Sequence, residues 1–420
     1  MSRNIFYAQS GGVTAVINAT ACGVIETARR NSDKIGKVYA GRNGIIGALN
    51  NDLIDTSYEN EEAIAALKYT PAGAFGSCRH KLASLEKNKE EYEKLIETFR
   101  AYDIGYFFYN GGGDSQDTAH KVWQMGEKLD YPITCIGIPK TVDNDLPFTD
   151  CCPGFGSAAK YIAISTLEGS LDVASMCATS TKIFILEVMG RHAGWIAASA
   201  GMASRKTDGP PHIILFPEIV FDETKFLAKV DQAVKNQGYC TIVVSEGVRN
   251  HNGEFLSDCG LKDAFGHAQL GGVAPVIASL IKQKLGLKYH YAIADYLQRS
   301  ARNIASQTDL DHAYALGKAA VEYAIAGKNG VMLTIVRDSN LPYQWHIESV
   351  PLEKVANVER KMPREFISED GYGITEACRQ YLQPLITGEA YPPYANGIPC
   401  YVTLQNKAAI KKKLKNVNLL

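Results

Sequence analysis

The chain has 420 residues, and its 44 Lys and Arg residues nearly balance its 45 Asp and Glu residues, giving a formal net charge of -1. This balance argues against a general nucleic-acid binder, because such proteins usually carry a basic excess. Hydrophobic residues make up 46% of the chain and charged residues 21%, which is typical of a globular protein and excludes disorder over most of its length.

The N-terminus and the cysteines bear on the compartment. No long apolar run follows Arg3, and no window of the chain approaches the ~18 apolar residues that span a bilayer. The ten cysteines show neither a CxxC pair nor a zinc-binding spacing, which favours buried, reduced thiols. We therefore expect a cytoplasmic protein with no membrane segment and no nucleic-acid partner.

The first predicted element is a short buried strand over residues 5–9, followed by Ser10-Gly11-Gly12 and a helical pattern over residues 13–29. A strand, a glycine turn and a helix form the opening unit of an α/β fold, and a phosphate can bind to the amides of such a helix N-terminus. Neither GxGxxG nor GxxxxGK[ST] occurs, which disfavours a dinucleotide enzyme and a P-loop kinase.

Further apolar runs follow, and each leads into a polar cluster. The clusters are Asn110 to Ser115, Pro139 to Asp145, Met189 to Arg191, Pro217-Glu218 and Ser245 to Gly247. Between the runs lie helical patterns over residues 88–102, 117–129 and 222–236. This alternation predicts parallel sheets covered by helices on both faces, with ligands at the carboxyl ends of the strands.

The cluster from Pro139 to Asp145 is the most informative. Alternate residues at a strand end can point into one cleft, so Asp143 and Asp145 would share a site beside Lys140. Carboxylates near a phosphate-handling turn can hold a divalent metal or accept a hydroxyl proton. The alternative is an acidic turn closed by its own side-chain hydrogen bonds. Arginines at turns or strand ends, which suit phosphate oxygens, are Arg79, Arg191 and Arg299.

An ordered series of motifs resembles the phosphofructokinase family over about residues 5 to 330. The motifs are Ser10-Gly11-Gly12, Gly76-Ser77-Cys78-Arg79, Gly111 to Ser115, Pro139 to Asp145, Met189-Gly190-Arg191, Ser245-Glu246 and Tyr296-Leu297-Gln298-Arg299. Each motif is weak alone, and their order along the chain makes the resemblance specific.

The resemblance implies two Rossmann-like, three-layer αβα domains with mostly parallel sheets and an active site in the cleft between them. Residues 1–154 would hold the phosphoryl-donor site, and residues 155–297 the sugar-phosphate site. The chain would return to the first domain around residues 298–350. Residues 351–420 would form a C-terminal extension packed on the second domain.

Two positions are similar to the diphosphate-dependent branch of the family. Asp114 and Lys140 both stand where ATP-using members have glycine. A carboxylate at Asp114 would repel a nucleotide α-phosphate. The ammonium group of Lys140 could neutralise charge on diphosphate as its bond breaks.

The implied reaction is the reversible transfer of a phosphoryl group from diphosphate to the 1-hydroxyl of fructose 6-phosphate, with Mg2+. The products are fructose 1,6-bisphosphate and phosphate, in glycolysis or gluconeogenesis. Asp143 would accept the hydroxyl proton, and the other catalytic residues would be Lys140, Asp114 and Arg191. The sugar phosphate would contact Thr141, Asp143, Met189, Gly190, Arg191, Glu246, Tyr296, Arg299 and Lys182. Diphosphate would contact Gly12, Arg79, Gly112, Gly113 and Lys140.

The metal site departs from the family pattern, because Gly113 stands where the family has a metal-binding aspartate. Asp114 or Asp145 would then hold Mg2+. Because a neighbouring subunit supplies some of the cations in many relatives, we expect a homodimer or homotetramer. Three alternatives stay open at this point: an ATP-dependent 6-phosphofructokinase, a diphosphate-dependent sedoheptulose-7-phosphate kinase, and a non-catalytic regulatory subunit that binds sugar phosphates.

Overall fold

The computed structural model describes residues 2–84, 86–206, 208–262, 268–270 and 272–414. Over these residues the strands are β1 (Arg3–Gln9), β2 (Ile35–Gly41), β3 (Leu53–Asp55), β4 (Ile104–Gly111), β5 (Thr134–Pro139), β6 (Ile183–Val188), β7 (Ile213–Leu215), β8 (Cys240–Ser245), β9 (Asp258–Lys262), β10 (Ala268–Leu270), β11 (Tyr289–Ile293), β12 (Val331–Asn340), β13 (Tyr343–Pro351), β14 (Tyr394–Ala395) and β15 (Ile398–Pro399). The helices are α1 (Ile17–Arg30), α2 (Ile45–Leu49), α3 (Glu61–Ala66), α4 (Lys89–Ala101), α5 (Gly113–Lys128), α6 (Phe155–Met176), α7 (Trp195–Ser199), α8 (Glu223–Gln237), α9 (Ala274–Leu285), α10 (Leu297–Ser300), α11 (Gln307–Ile325), α12 (Leu352–Val355) and α13 (Glu376–Leu385).

The larger sheet has the strand order β13-β12-β5-β4-β1-β2-β3. Its central strands are parallel, and the edge strands β13 and β3 are antiparallel to their neighbours. The strand order reverses at β1, because β2 lies on one side of β1 and β4 on the other. In open α/β sheets a ligand crevice forms outside the carboxyl ends of the strands at such a reversal.

The second sheet has the order β11-β6-β8-β7 and is parallel throughout. Its strand β8 is completely buried, which explains the continuous apolar run at that point in the sequence. The small ribbons β9–β10 and β14–β15 lie outside both sheets. The two mostly parallel sheets and their helices confirm the predicted α/β fold class.

Helices α1 and α11 pack closely, and each also contacts a strand of the larger sheet. Two glycines allow this close approach. A Cβ atom on Gly23 would lie 2.3 Å from the carbonyl oxygen of Tyr314, and one on Gly317 would lie 2.1 Å from that of Thr20. Because a side chain at either position would meet backbone, the spacing of the two helices depends on both glycines.

The helix boundaries follow local capping. Helix α4 begins after Asn88, whose side chain accepts a hydrogen bond from the amide of Glu91. Helix α8 begins after Asp222, which caps it in the same way, and ends at Gly238 in the left-handed conformation. Both helices were predicted. Helix α5 begins at Gly113, earlier than the predicted start at residue 117.

The chain passes from the first sheet to the second through α6 and returns to the larger sheet at β12 and β13. The extension after β13 contacts both parts: α13 packs on α6, whereas the amide of Asp55 and the carbonyl of Leu53 in β3 hydrogen-bond to residues 407 and 409. The end of the extension therefore lies beside the larger sheet. The domain limits themselves stay a prediction.

None of the helices in the described part of the chain combines the length and the apolar character that crossing a bilayer requires.

Candidate active site

A cavity of about 860 Å3 lies where the carboxyl ends of strands from both sheets meet. The turns after β1, β4, β5, β6, β8 and β11 all reach it. Its lining includes most residues that the sequence singles out: Gly12, Arg79, Gly112, Gly113, Asp114, Lys140, Thr141, Asp143, Asp145, Met189, Arg191, Glu246, Tyr296 and Arg299.

The glycine turn after β1 brings two guanidinium groups together. A Cβ atom on Gly12 would lie 2.4 Å from Nη1 of Arg299 and 3.7 Å from Nη2 of Arg79. The segment that carries Arg79 is tied to this turn, because the amide of Gly11 donates to the carbonyl of Cys78 at 2.9 Å. Glycine at position 12 therefore leaves room for both arginines at one point of the cavity wall.

Lys140 is a buried cation that lies near two other cations, Arg79 and Arg299. It follows β5, is 4% exposed, and donates from Nζ to the carbonyl oxygen of Gly12 at 2.6 Å. Burial and the charges of Arg299 and Arg79 lower the pKa of Lys140 from 10.5 to about 8, although Asp143 opposes the shift. A phosphate between these groups would relieve their repulsion, so this wall of the cavity suits an anion.

The acidic turn after Lys140 is held in an unusual conformation. Asn144 has a φ of 54°, in the left-handed region that asparagine tolerates better than most residues. Its side chain donates to the hydroxyl of Tyr381 at 2.8 Å and accepts from the amide of Cys152 at 2.9 Å. These contacts fix the backbone between Asp143 and Asp145.

Both carboxyl groups of this turn are harder to ionise than usual. Burial raises the pKa of Asp143, and the Lys140 ammonium opposes that shift. Burial together with the charge of Asp143 raises the pKa of Asp145 to about 7. A carboxylate with a raised pKa is a better proton acceptor than an exposed aspartate, which suits the role predicted for Asp143.

The second sheet supplies the opposite wall of the cavity. Gly190, at a φ of 130° after β6, donates its amide to Glu246 Oε1 after β8 at 3.4 Å. Burial and the charge of Asp143 raise the pKa of Glu246 to about 7, and Arg191 opposes the shift. The amide of Met189 donates to the side chain of Gln298 at 3.2 Å, which ties β6 to α10.

The short helix α10 carries the remaining pair of predicted residues. The guanidinium carbon of Arg299 lies 3.8 Å from the centre of the Tyr296 ring. This stacking orients the arginine toward the glycine turn after β1. Arg299 thus joins the two sides of the cavity.

Asp114 lies in the first turn of α5, where a negative charge is favoured by the helix dipole. Its carboxylate pairs with the ammonium of Lys81 at 2.7 Å. Lys81 also lines the cavity and was not predicted from the sequence.

Two predicted residues stand apart from the cavity lining. Gly190 contributes through its backbone, as described above. Lys182 precedes β6 at the amino end of the strand, and its Nζ donates to the carbonyl of Cys177 at 2.6 Å. A six-residue strand spans roughly 20 Å, so this chain's own Lys182 is not brought to the cavity.

Several further residues line the cavity that the sequence patterns did not indicate. His80 and His192 are adjacent to predicted arginines, and that adjacency was the only available signal. Asn357 and Glu359 come from the C-terminal extension, and Glu359 accepts a hydrogen bond from Nδ1 of His192 at 3.1 Å. No local motif marks them, because they reach the cavity only through the fold.

The donor set at the acidic turn fits Mg2+ bound partly by its substrates. Among the described residues no group of three or more His, Cys, Asp or Glu side chains could hold a metal. Asp145 lines the cavity, and its pKa is raised. Among the described ion pairs Asp145 has no cationic partner, whereas Asp114 is paired with Lys81. Mg2+ typically uses one or two carboxylates with phosphate oxygens and water, and Asp145 could supply such a carboxylate from the cavity wall.

Two parallel sheets with a cationic, carboxylate-bearing cavity at their strand ends define an α/β protein built for phosphorylated ligands. The chain belongs to the phosphofructokinase family. The family described as Phosphofructokinase matches residues 4–324.

Three similar proteins match nearly the whole chain, and their names agree with this family. The pyrophosphate--fructose 6-phosphate 1-phosphotransferase of Methylococcus capsulatus is 66% identical over 411 residues, which cover 98% of each chain. The protein of the same name from Halomonas elongata is 64% identical and covers 99% of each chain. The crystal structure of a pyrophosphate-dependent phosphofructokinase from Marinobacter aquaeolei superposes with a TM-score of 0.91 at 61% identity, covering 99% of this chain and 100% of that one.

Proposed function

We propose that the protein is a diphosphate-dependent 6-phosphofructokinase. It transfers a phosphoryl group reversibly from diphosphate to the 1-hydroxyl of fructose 6-phosphate, and it releases fructose 1,6-bisphosphate and phosphate. The observation that carries this proposal is the buried Lys140, whose ammonium group lies close enough to Arg79, Arg299 and Asp143 for their charges to shift its pKa. The names of the relatives described above support the same donor and acceptor.

The donor side accommodates a short polyphosphate. Lys140, Arg79 and the amides of the glycine turns provide charge and hydrogen-bond donors for diphosphate. Burial and the nearby arginines lower the pKa of Lys140 to about 8, and a bound phosphate would raise that pKa and hold the ammonium in its charged form. Asp114, on the first turn of α5, places a carboxylate where a longer nucleotide would bring another phosphate.

The acceptor side orients the sugar. Asp143 removes the proton of the 1-hydroxyl, and the hydroxyl oxygen attacks one phosphorus of diphosphate while the other phosphate leaves. Thr141 donates toward Asp143, with 3.5 Å between Oγ1 and Oδ2. Glu246 accepts sugar hydroxyls, and Arg191 and Arg299 bind phosphate oxygens. Positioning supplies most of the rate enhancement, as expected for a loose phosphoryl-transfer transition state.

Mg2+ would be held by Asp145 and by diphosphate oxygens, and it would supply charge stabilisation to the transferring phosphoryl group.

We further propose a homodimer or homotetramer in the cytoplasm. The position of Lys182 away from its own cavity leaves it available to the cavity of a neighbouring subunit. Buried free thiols such as Cys135, Cys151 and Cys152 suit a reducing compartment.

A matrix of donors and acceptors tests the proposal. Diphosphate or ATP is offered with fructose 6-phosphate or sedoheptulose 7-phosphate, with and without Mg2+, and product phosphate or nucleoside diphosphate is measured. We expect turnover with diphosphate, fructose 6-phosphate and Mg2+. Turnover that occurs only when ATP is the donor would overturn the proposed donor. Turnover that occurs only when sedoheptulose 7-phosphate is the acceptor would overturn the proposed acceptor.

Two variants test the assigned residues. The double variant Asp114→Gly with Lys140→Gly should lose diphosphate activity, and near-normal turnover would show that these roles are wrong. Asp143→Ala should abolish turnover, whereas a regulatory subunit that only binds sugar phosphates would keep its function.

A further inference from the structure

The acidic turn is held from outside the cavity by a residue of the C-terminal extension. Arg360 follows α12, beyond residues 4–324 that match the family. Its guanidinium donates to the carbonyl of Asn144 from Nη2 at 2.7 Å and from Nε at 3.2 Å. Nη1 donates to the carbonyls of Thr149 at 2.6 Å and Asp150 at 2.9 Å.

The backbone of the same residue completes the contact. The amide of Arg360 donates to the carbonyl of Asp145 at 2.6 Å. The guanidinium carbon of Arg360 lies 4.7 Å from the centre of the buried Trp195 ring. Trp195 therefore packs against the guanidinium group from the side of the second sheet. One residue thus binds four carbonyl groups along a single turn.

These carbonyls belong to the stretch that displays the two cavity carboxylates. Asp143 and Asp145 flank Asn144, whose left-handed backbone persists only while its surroundings hold it. Arg360 caps the carbonyls of Asn144 and Asp145 directly, and its side chain is not among the residues that line the cavity. Its effect on the chemistry therefore passes through the turn.

We infer that Arg360 is a positioning residue that fixes the Asp143 carboxylate at the distance from the acceptor hydroxyl that proton removal requires. The inference rests on the function proposed above, because it needs Asp143 to act on the acceptor. A displacement of about 1 Å in a reacting group can cost on the order of 100-fold in rate. Losing the hydrogen bonds of Arg360 releases the turn and permits such a displacement.

Arg337 offers a matched control. It is a partly buried arginine that binds the far end of the same turn, with Nη2 2.8 Å from Asp150 Oδ2 and its guanidinium over the rings of Tyr343 and Tyr381. It hydrogen-bonds to neither Asp143 nor Asn144 nor Asp145 in the described contacts. Its loss should cost stability while leaving every hydrogen bond of Arg360 to the carbonyls of Asn144 and Asp145 in place.

The experiment compares full-length wild type, Arg360→Met and Arg337→Met by Tm and by kcat and KM for both substrates, well below every Tm. We expect Arg360→Met to lower kcat about 100-fold while KM for fructose 6-phosphate changes by less than about 3-fold. Arg337→Met should keep kcat within about 3-fold of the wild-type value, even if its Tm falls as far as that of Arg360→Met. If Arg360→Met does not fold, Arg360→Lys takes its place, because a lysine cannot bridge the same set of carbonyls.

A second readout uses Asp143→Asn. If Arg360 acts through Asp143, then adding Arg360→Met to Asp143→Asn should barely change the residual rate, since the effects of coupled residues do not add. Equal losses of kcat in the two arginine variants, or an unchanged kcat in Arg360→Met, would overturn the inference and leave the proposed function intact. A wild type that transfers no phosphoryl group from diphosphate would instead overturn the proposed function.

Discussion

Replacing Lys140 with methionine should make the protein more stable and less active. The lysine is 4% exposed, and the arginines at the glycine turn face it. Methionine has a similar length and carries no charge, so it removes the electrostatic cost and keeps the packing. The same change removes the cation that would bind diphosphate.

The magnitude follows from the pKa. Lowering the pKa of Lys140 from 10.5 to about 8 corresponds to roughly 3 kcal/mol of stability lost by the charged lysine at pH 7. Losing the hydrogen bond to the carbonyl of Gly12 returns about 1 kcal/mol of that gain. The variant should therefore be more stable by about 2 kcal/mol, a rise in Tm of about 2 °C for a chain of this length.

The gain should depend on pH with a definite sign. Because the folded pKa of Lys140 lies below its unfolded pKa, the unfolded wild-type chain binds more protons between pH 8 and pH 10.5. Wild type thus recovers stability as the pH rises through this window. The advantage of Lys140→Met should be full at pH 7 and clearly smaller at pH 9.5.

The assay is thermal and denaturant unfolding at both pH values, together with diphosphate-dependent turnover. The same substitution at Lys160 serves as a control. Lys160 is 7% exposed but pairs with Glu389 at 2.5 Å and donates to the carbonyl of Gly388, so Lys160→Met should lower Tm. A Lys140→Met variant no more stable than wild type at pH 7, or equally advantaged at both pH values, would refute the reasoning.

Three further outcomes are expected. Asp143→Asn should lower kcat about 1,000-fold with little change in KM, and a loss confined to KM in a coupled assay would contradict its role as proton acceptor. Gly12→Ala should raise KM for the phosphorylated substrates about 10-fold, because its Cβ atom would meet Nη1 of Arg299 at 2.4 Å. A KM left unchanged by Gly12→Ala would contradict this steric argument. Burial lowers the pKa of His312 to about 3, so this side chain alone should subtract roughly 2 kcal/mol from the stability of wild type between pH 6.5 and pH 5. When Tm is compared at the two pH values, His312→Asn should lose less stability than wild type. An equal loss in both proteins would count against His312 as the origin of this pH dependence.

The strands and the turns that follow them could be predicted because both depend on local sequence. Apolar runs mark β4, β5, β6 and β8, and turn residues mark their ends. Parallel pairing then brings those ends together without further information. The resemblance to the family supplied the rest, because it implied that both sheets contribute to one cavity, and the structure brings Gly12 and Glu246 into the lining of one cavity.

The start of α5 shows where local sequence misled the prediction. Glycine is a poor helix former, so Gly113 was placed in a turn. In the fold, Gly113 and Asp114 form the first helical turn, and Lys81 pairs with Asp114 from another segment. Only tertiary contact could supply that partner.

The extension shows the larger limit. Glu359 and Arg360 stand in a charged stretch with no periodicity, and nothing in their neighbourhood points to an acidic turn some 200 residues earlier in the chain. Their contacts with His192 and with the turn exist only after both sheets have formed. The motifs that resemble the family could not indicate them either, since the last of these motifs ends at Arg299.

The cavity is built by groups from both sheets, so its dimensions depend on the orientation of one sheet relative to the other. Lys140 and Asp143 follow β5, whereas Arg191 and Glu246 follow β6 and β8. A rotation of one sheet against the other would change several distances across the cavity at once. Such a rotation could be followed with one pair of labels, one on each sheet, placed away from the cavity itself.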